Sequence, residues 1–250
     1  MKKYKALMLD LDGTTIPNSW EAMPSLRVKE AIAKANDYLS VGIVTARPPF
    51  WAKPVMKVLT LKAPCVVIGG ARIIDPVSYK TLFEKVIPKI EAEQIIDMLK
   101  KNKIPFLYPR DTNDLTPTFD ITIPDAGQIE IAVPEITHEQ ADFLLDKFDN
   151  FKNIAAHKVT GLEKDKVWLQ ITHLESTKQH SILKVAEILN IETHEIIGVG
   201  DSYNDFPLLM ACGLKVAMGN AVQELKEIAD YIAPSVEEDG VADVIEKFIL

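Results

Sequence analysis

Residues 6–9, Ala-Leu-Met-Leu, run without a polar side chain into Asp10-Leu11-Asp12-Gly13-Thr14-Thr15, and no other stretch narrows the possible folds as far. An apolar run with no alternation reads as a strand buried on both faces, the kind found in parallel sheets covered by helices. Alternate residues of a strand share a face, so Asp10 and Asp12 would point the same way if the strand continued. Gly13 instead marks a turn, where the backbone bends or comes close to a ligand. Two carboxylates at the end of a buried strand are costly unless something neutralises them. At about 4 Å they repel by about 4 kcal/mol at an effective dielectric of about 20. A divalent cation is the usual remedy, and Mg²⁺ favours one or two carboxylates together with phosphate oxygens. The plainer reading is an Asp-capped turn at Asp12-Gly13.

The rest of the opening repeats the theme. Residues 25–38 have helical spacing, with Leu26, Val28, Ala31, Ile32 and Ala35 apolar. A buried run at 41–44 ends at Thr45-Ala46-Arg47-Pro48-Pro49, a helix is predicted over 50–59, and a strand over 65–68 runs into Gly69-Gly70-Ala71. Strand and helix in this alternation imply right-handed crossovers and a parallel sheet. Ligands then bind beyond the carboxyl ends of the strands, where Asp10, Asp12 and Thr45 all fall.

The texture changes after residue 73. Alternation over 81–86 and a helix over 91–102 precede short strand-like pieces at 104–108, 119–123 and 129–133. Thr137 opens a helix to 148, with Gln140 at capping-box spacing, and strands follow at 154–157 and 167–171. Strands following strands predict an α+β unit with an antiparallel sheet. From 175 the α/β pattern resumes: helix 176–189, buried strand 196–200, Asp201-Ser202-Tyr203-Asn204-Asp205, helix 206–211, strand 214–217, helix 222–229, Tyr231-Ile232 and helix 241–250. The expected class is therefore α/β, a parallel-sheet Rossmann-like core made from residues 1–76 and 175–250. Residues 77–174 form an inserted second domain.

Charge and composition exclude several roles. With a formal net charge of −8, the chain is a poor general binder of nucleic acid or anionic membrane. An anionic substrate must then be drawn by a local positive site. Cys65 and Cys212 lie in apolar runs and suit buried free thiols. No apolar run reaches membrane-spanning length, and Met1-Lys2-Lys3-Tyr4-Lys5 leads into no signal pattern, so a cytoplasmic protein is expected. Nothing in the pattern speaks to oligomeric state.

Asp201 repeats the opening arrangement, an apolar strand, a glycine and then a carboxylate, with Asp205 four residues on. If 203–211 is helical, the amides near Asp201 lie at a helix amino-terminus, which favours anions. A third carboxylate converging on Asp10 and Asp12 strengthens the case for a cation. Lys178 begins a helix and can place a point charge on a phosphate, or simply be a solvated lysine. Trp20 is read as packing more than as substrate contact, and the polar loop Arg110–Thr118 as a candidate for it. None of the five histidines has metal-ligand spacing.

Asp10-Leu11-Asp12-Gly13-Thr14, Thr45, Lys178 and Gly200-Asp201-Ser202-Tyr203-Asn204-Asp205 together resemble the four motifs of the haloacid dehalogenase superfamily of phosphatases. Gly69-Gly70-Ala71 and Glu238-Asp239-Gly240-Val241-Ala242 resemble signatures of its Cof-type branch, whose α/β cap is inserted after the third motif-bearing strand. That branch usually has Asn at the place of Gly69 and Gly at the place of Ala46. The resemblance implies that Asp10 is the nucleophile, forming an aspartyl-phosphate, and that Asp12 is general acid and base. It implies Mg²⁺ held by Asp10 and Asp201, with the Asp12 backbone carbonyl, and Asp205 positioning a metal water or Lys178. Gly13, Thr14, Thr45, Lys178 and Asn204 would hold the phosphoryl group, and Arg47 could reach substrate. The cap would close over the site and choose the substrate.

The expected activity is Mg²⁺-dependent hydrolysis of a small phosphorylated metabolite, first of all a sugar phosphate. A phosphomutase, or a phosphatase of trehalose- or mannosyl-phosphoglycerate type, fits the same motifs. A phospho-acceptor signalling module also uses an Asp, neighbouring acids, a Thr and a Lys on a parallel sheet. Such a module, however, needs a long-lived phospho-Asp and has no hundred-residue cap.

Overall fold

The structure is a computed structural model that describes residues 3–19, 21–107, 118, 123–124, 127–148, 150–161, 163 and 165–250. The chain divides into two compact units, Met1–Phe83 with Lys178–Leu250, and Glu84–Thr177.

The first unit begins β1 (Ala6–Leu9), α1 (Leu26–Ala35), β2 (Ser40–Ile43), α2 (Pro49–Leu59), β3 (Cys65–Val67) and β4 (Arg72–Ile74), and the division between the units falls at the last residue of β5 (Thr81–Glu84). The second unit contributes α3 (Lys89–Lys101), β6 (Ile131–Ile136), α4 (His138–Phe148), β7 (Ile154–Thr160) and β8 (Val167–His173). The chain then returns to the first with α5 (Lys178–Leu189), β9 (Ile196–Gly200), α6 (Phe206–Ala211), β10 (Leu214–Ala217), α7 (Gln223–Ile228), β11 (Tyr231–Ile232) and α8 (Gly240–Phe248). The class is α/β, as the alternation of apolar runs and helical spacing predicts.

Five strands pair in parallel in the order β11-β10-β9-β1-β2. Every side chain of β1 is fully buried, which is why its sequence carries no polar alternation. Leu9 is level with Ile43 on one side and Val199 on the other. The residues that follow these three strands, Asp10, Thr45 and Asp201, therefore emerge at the same edge of the sheet. Helix α1 starts on Ser25, whose Oγ accepts from the Val28 amide at 3.1 Å, and it buries Val28, Ala31, Ile32 and Ala35. It ends at Asn36, whose side-chain amide donates to the Thr60 carbonyl, so it is shorter than the predicted 25–38.

One strand stops early for a conformational reason. The run 65–68 reads as a strand throughout, yet β3 ends at Val67 and Ile68–Gly70 form a short 3₁₀ turn. Ile68 has φ +54°, Gly69 +61° and Gly70 +125°. Left-handed backbone is open to glycine but strained for a β-branched residue, and hydrophobicity alone gives no sign of it.

In the second unit, β6, β8 and β7 form an antiparallel sheet. One face of it buries Ile131, Val133, Leu169 and Ile171 in a core with Ile95 and Leu99 of α3 and Ala141 and Leu144 of α4. The predicted capping box is present: the Gln140 amide donates to Thr137 Oγ1 at 3.1 Å and the Thr137 amide to Gln140 Oε1 at 3.0 Å. Among the described residues of the predicted strand over 104–108, Phe106 and Leu107 form isolated bridges with Thr118 and Ala132, and residue 108 lies outside them. Most of the predicted strand over 119–123 lies outside the described residues.

Among the described residues no helix is long and apolar enough to cross a membrane. Cys65 and Cys212 are buried free thiols, and burial pushes the Cys65 thiol up to about 12.

Candidate active site

The turn after β1 is closed on itself. The amides of Thr14, Thr15 and Ile16 all donate to the Leu11 carbonyl, and the Gly13 amide donates to Ile16. Gly13 has φ +81°, and a Cβ there would collide with the Asp201 carboxylate, so both the turn and the neighbour require glycine. Thr14 Oγ1 donates to Asp201 Oδ1 at 2.7 Å, and the buried Thr15 hydroxyl donates to the Asp10 carbonyl at 2.5 Å. The amides of Gly13 and Thr14, expected to face a phosphoryl group, are engaged within the turn because it folds so tightly.

Lys178, the first residue of α5, is buried with its ammonium 2.6 Å from Asp10 Oδ1 and 2.5 Å from Asp205 Oδ1. The other oxygen of Asp205 accepts from the amides of Asp201 and Ser202, each at 3.0 Å. The amides predicted to attract an anion near Asp201 are thus capped by the protein's own carboxylate. Burial drives the Asp10 carboxyl well above its usual range, aided by the charges of Asp205 and Asp201, and Lys178 only partly offsets this. Asp201 is pushed up to about 7, first by burial and then by Asp205, against the hydrogen bond from Thr14. Burial alone would lower the Lys178 ammonium, but Asp10 and Asp205 outweigh it and hold the lysine above its ordinary value.

Oxygens of Asp10, Asp201 and Asp205 lie within 4.8 Å of one another. Three carboxylates and one ammonium give this cluster, among the described residues, a formal excess of two negative charges. That excess matches one divalent cation, and an all-oxygen donor set suits a hard ion such as Mg²⁺. The Asp12 carboxylate stands apart from this group, gripped by Arg47: Nε donates to Oδ2 at 2.9 Å and Nη2 to Oδ1 at 2.5 Å. Arg47, expected to reach substrate, turns its guanidinium onto Asp12 and the Ser19 carbonyl.

Thr45 is buried at the end of β2, and its Oγ1 accepts from the Arg47 amide at 3.1 Å. Asn204 Oδ1 accepts from the Ser202 hydroxyl at 2.6 Å. Asn220 escaped the sequence reading: its side-chain amide donates to the Gly13 carbonyl and its Oδ1 accepts from the Val236 amide, each at 2.8 Å. The available signal was Gly219-Asn220 directly after the apolar run ending β10, at the same sheet edge as Asp10. Trp20 lies outside the described residues, as does the loop 110–118 apart from Thr118.

Comparison with known proteins agrees with this arrangement. Residues 7–245 match the family model described as haloacid dehalogenase-like hydrolase. The chain is similar to a 5-amino-6-(5-phospho-D-ribitylamino)uracil phosphatase of Bacillus subtilis, 27% identical with 98% of each chain covered. It is 25% identical to a pyridoxal phosphate phosphatase of Escherichia coli, over 98% of this chain and 99% of the other. Among solved structures, a haloacid dehalogenase-like hydrolase from Bacteroides thetaiotaomicron superposes with a TM-score of 0.80 at 24% identity, covering 98% of this chain and 99% of that one.

Proposed function

Because this chain belongs to the haloacid dehalogenase-like hydrolase family, we propose that it is a phosphatase that hydrolyses the phosphate monoester of a small metabolite through Asp10. The observation that carries this reading is the buried Asp10–Lys178–Asp205 arrangement beside Asp201. It gathers negative charge around one carboxylate, and the ammonium beside Asp10 is a positive charge that a phosphoryl group bound there would use.

In the first step Asp10 bonds to phosphorus, the bond from phosphorus to the alcohol oxygen breaks, and the Asp12 carboxyl gives its proton to that oxygen. In the second, water bonds to phosphorus and gives a proton to the Asp12 carboxylate. The bond to Asp10 then breaks, leaving inorganic phosphate and a free aspartate. Thr45 and Lys178 steady the phosphoryl oxygens, with the Asn204 amide beside them, and Asp205 holds Lys178 in place. Asp10, Asp201 and the Asp12 backbone carbonyl would hold Mg²⁺, with Asp205 close by, and that ion would supply positive charge to the phosphoryl group.

A sugar phosphate is the first substrate class to examine. Two relatives are named for small phosphorylated molecules, one carrying a phosphoribityl group and the other pyridoxal phosphate. Residues 84–177, the inserted unit, carry the choice among such substrates. The decisive experiment is hydrolysis of a panel of phosphorylated sugars and related metabolites, with and without Mg²⁺, by the wild type and Asp10→Asn. Metal-dependent turnover that disappears in the variant supports the reading. Equal phosphate release by both proteins overturns it, and a phospho-Asp10 that persists for minutes would point to signalling.

A further inference from the structure

We infer that Arg47 is a positioning residue for Asp12, fixing the carboxylate that exchanges a proton with the leaving alcohol, and is not a contact to the substrate phosphate. The inference rests on the phosphatase reading above. Its first support is the fork. Nε and Nη2 of one guanidinium meet the two oxygens of one carboxylate, at 2.9 and 2.5 Å. Two parallel hydrogen bonds fix both the place and the plane of a carboxylate, which a lysine's single point charge does not. The two partners also differ in access. The Arg47 side chain is 5% exposed and that of Asp12 29%, so the arginine is a buried anchor and the aspartate its open end.

The second support is the way Arg47 itself is held. Its amide donates to Thr45 Oγ1 and its carbonyl accepts from the Ile68 amide at 3.0 Å. The Gly69 amide donates to the Thr45 carbonyl, also at 3.0 Å. Both donors belong to the left-handed turn in which Ile68 is strained. A β-branched residue persists in that conformation only where the surroundings over-determine it, and such strain gathers at functional sites. The same turn is tied to α5: Ser181 Oγ donates to the Gly70 carbonyl at 2.9 Å, one helical turn from Lys178. One strained turn therefore holds the Thr45–Arg47 segment and touches the helix that carries Lys178. Arg47 adds a third attachment through Nη2 to the Ser19 carbonyl, 3.1 Å away, in the loop that follows Asp12. A guanidinium that gives two hydrogen bonds to Asp12 and one to the loop after it is built to place the acid.

The test exploits leaving groups. Transfer of phosphoryl to Asp10 from p-nitrophenyl phosphate needs little help from an acid, because p-nitrophenolate leaves readily. Transfer from an alkyl phosphate needs the Asp12 proton. We would measure kcat/KM for both substrates in the wild type, Arg47→Ala, Arg47→Lys, Asp12→Ala and the double variant Arg47→Ala/Asp12→Ala. Arg47→Ala is expected to lose about 100-fold on the alkyl ester and less than about 5-fold on p-nitrophenyl phosphate. The double variant is expected to be no worse than Asp12→Ala alone, since residues acting as one unit are not additive. Arg47→Lys, which keeps the charge and loses the fork, should show the same split and replaces Arg47→Ala if that protein does not fold. Equal losses on both substrates, or additive losses in the double variant, would overturn the inference and make Arg47 a phosphate contact. If wild-type turnover of both esters did not depend on Asp10, the phosphatase reading itself would fall, and a control with Asp10→Asn separates that failure from the other.

Discussion

Asp205 divides its two carboxylate oxygens between a cation and the backbone: Oδ1 lies 2.5 Å from the Lys178 ammonium, and Oδ2 accepts from the amides of Asp201 and Ser202. Breaking a buried ion pair by removing one partner costs about 3–5 kcal/mol. Here Lys178 keeps Asp10, and repulsion among the carboxylates falls. Asp205→Ala is therefore expected to destabilise by about 3 kcal/mol in urea unfolding, at the low end of that range. Asp205→Asn keeps an acceptor for the amides and should lose about 1 kcal/mol. Unchanged midpoints in both variants would show that the pair does not hold α5 to the sheet.

Asp201 provides the opposite sign. Its carboxyl is pushed up to about 7 by burial and by Asp205, so at pH 8 its charge is forced on an environment that resists it. Asp201→Asn keeps an oxygen for the Thr14 hydroxyl and removes the charge. Without Mg²⁺ the variant should melt at or above the wild-type temperature. With Mg²⁺ at about 100 times its dissociation constant, the wild type should gain about 2.7 kcal/mol, and the variant should gain little. Melting curves with and without the ion measure both. A variant that still gains full stability from Mg²⁺ would remove Asp201 from the metal set.

The parts of this molecule legible in its sequence are those in which one residue carries its own context. The apolar run 6–9 reads as a buried strand from its own residues, and that places the carboxylate after it at the sheet edge. Asp201 after Ile196–Gly200 follows the same logic. What the sequence does not display are relations between loops. The fork from Arg47 to Asp12 joins residues from separate turns, and its existence depends on the register of β1 against β2. Asn220 matters through the Gly13 carbonyl, a backbone atom that no residue type identifies. The strained Ile68 sits in a run that hydrophobicity alone assigns to a strand. Glu130 resembles any surface acid until the fold buries it.

Asn220 bridges Gly13 and Val236 with two hydrogen bonds of 2.8 Å, so it ties the turn after Asp12 to the segment following β11. Asn220→Ala leaves both backbone groups without that partner. At about 1 kcal/mol for each lost bond, a destabilisation of about 2 kcal/mol is expected. Because the Gly13 turn also fixes Asp201, kcat should drop by about tenfold. Steady-state kinetics and unfolding on one preparation test this, and wild-type kcat in a destabilised variant would confine Asn220 to a structural role.

Glu130 is buried in the second unit, where Gln170 Nε2 donates to its Oε1 at 2.5 Å and Gln128 Nε2 donates to its backbone carbonyl at 3.0 Å. A neutral amide offers a hydrogen bond but no charge, so burial dominates and pushes the carboxyl from 4.5 to about 7. The folded protein therefore holds this proton more tightly than the unfolded chain. Stability is greatest below the unfolded value of 4.5, falls as pH rises through the interval to about 7, and is level above it. A shift of this size corresponds to about 3 kcal/mol. Glu130→Gln preserves the shape and the acceptor and cannot ionise. Urea unfolding at pH 5 and pH 8 should show the wild type losing about 2–3 kcal/mol more than the variant over that span. The comparison between the two proteins cancels every other titrating group, including Asp10 and Asp201 in the first unit. Equal pH dependence in both would mean that Glu130 ionises as freely in the fold as in the unfolded chain, which burial beside a neutral amide does not permit.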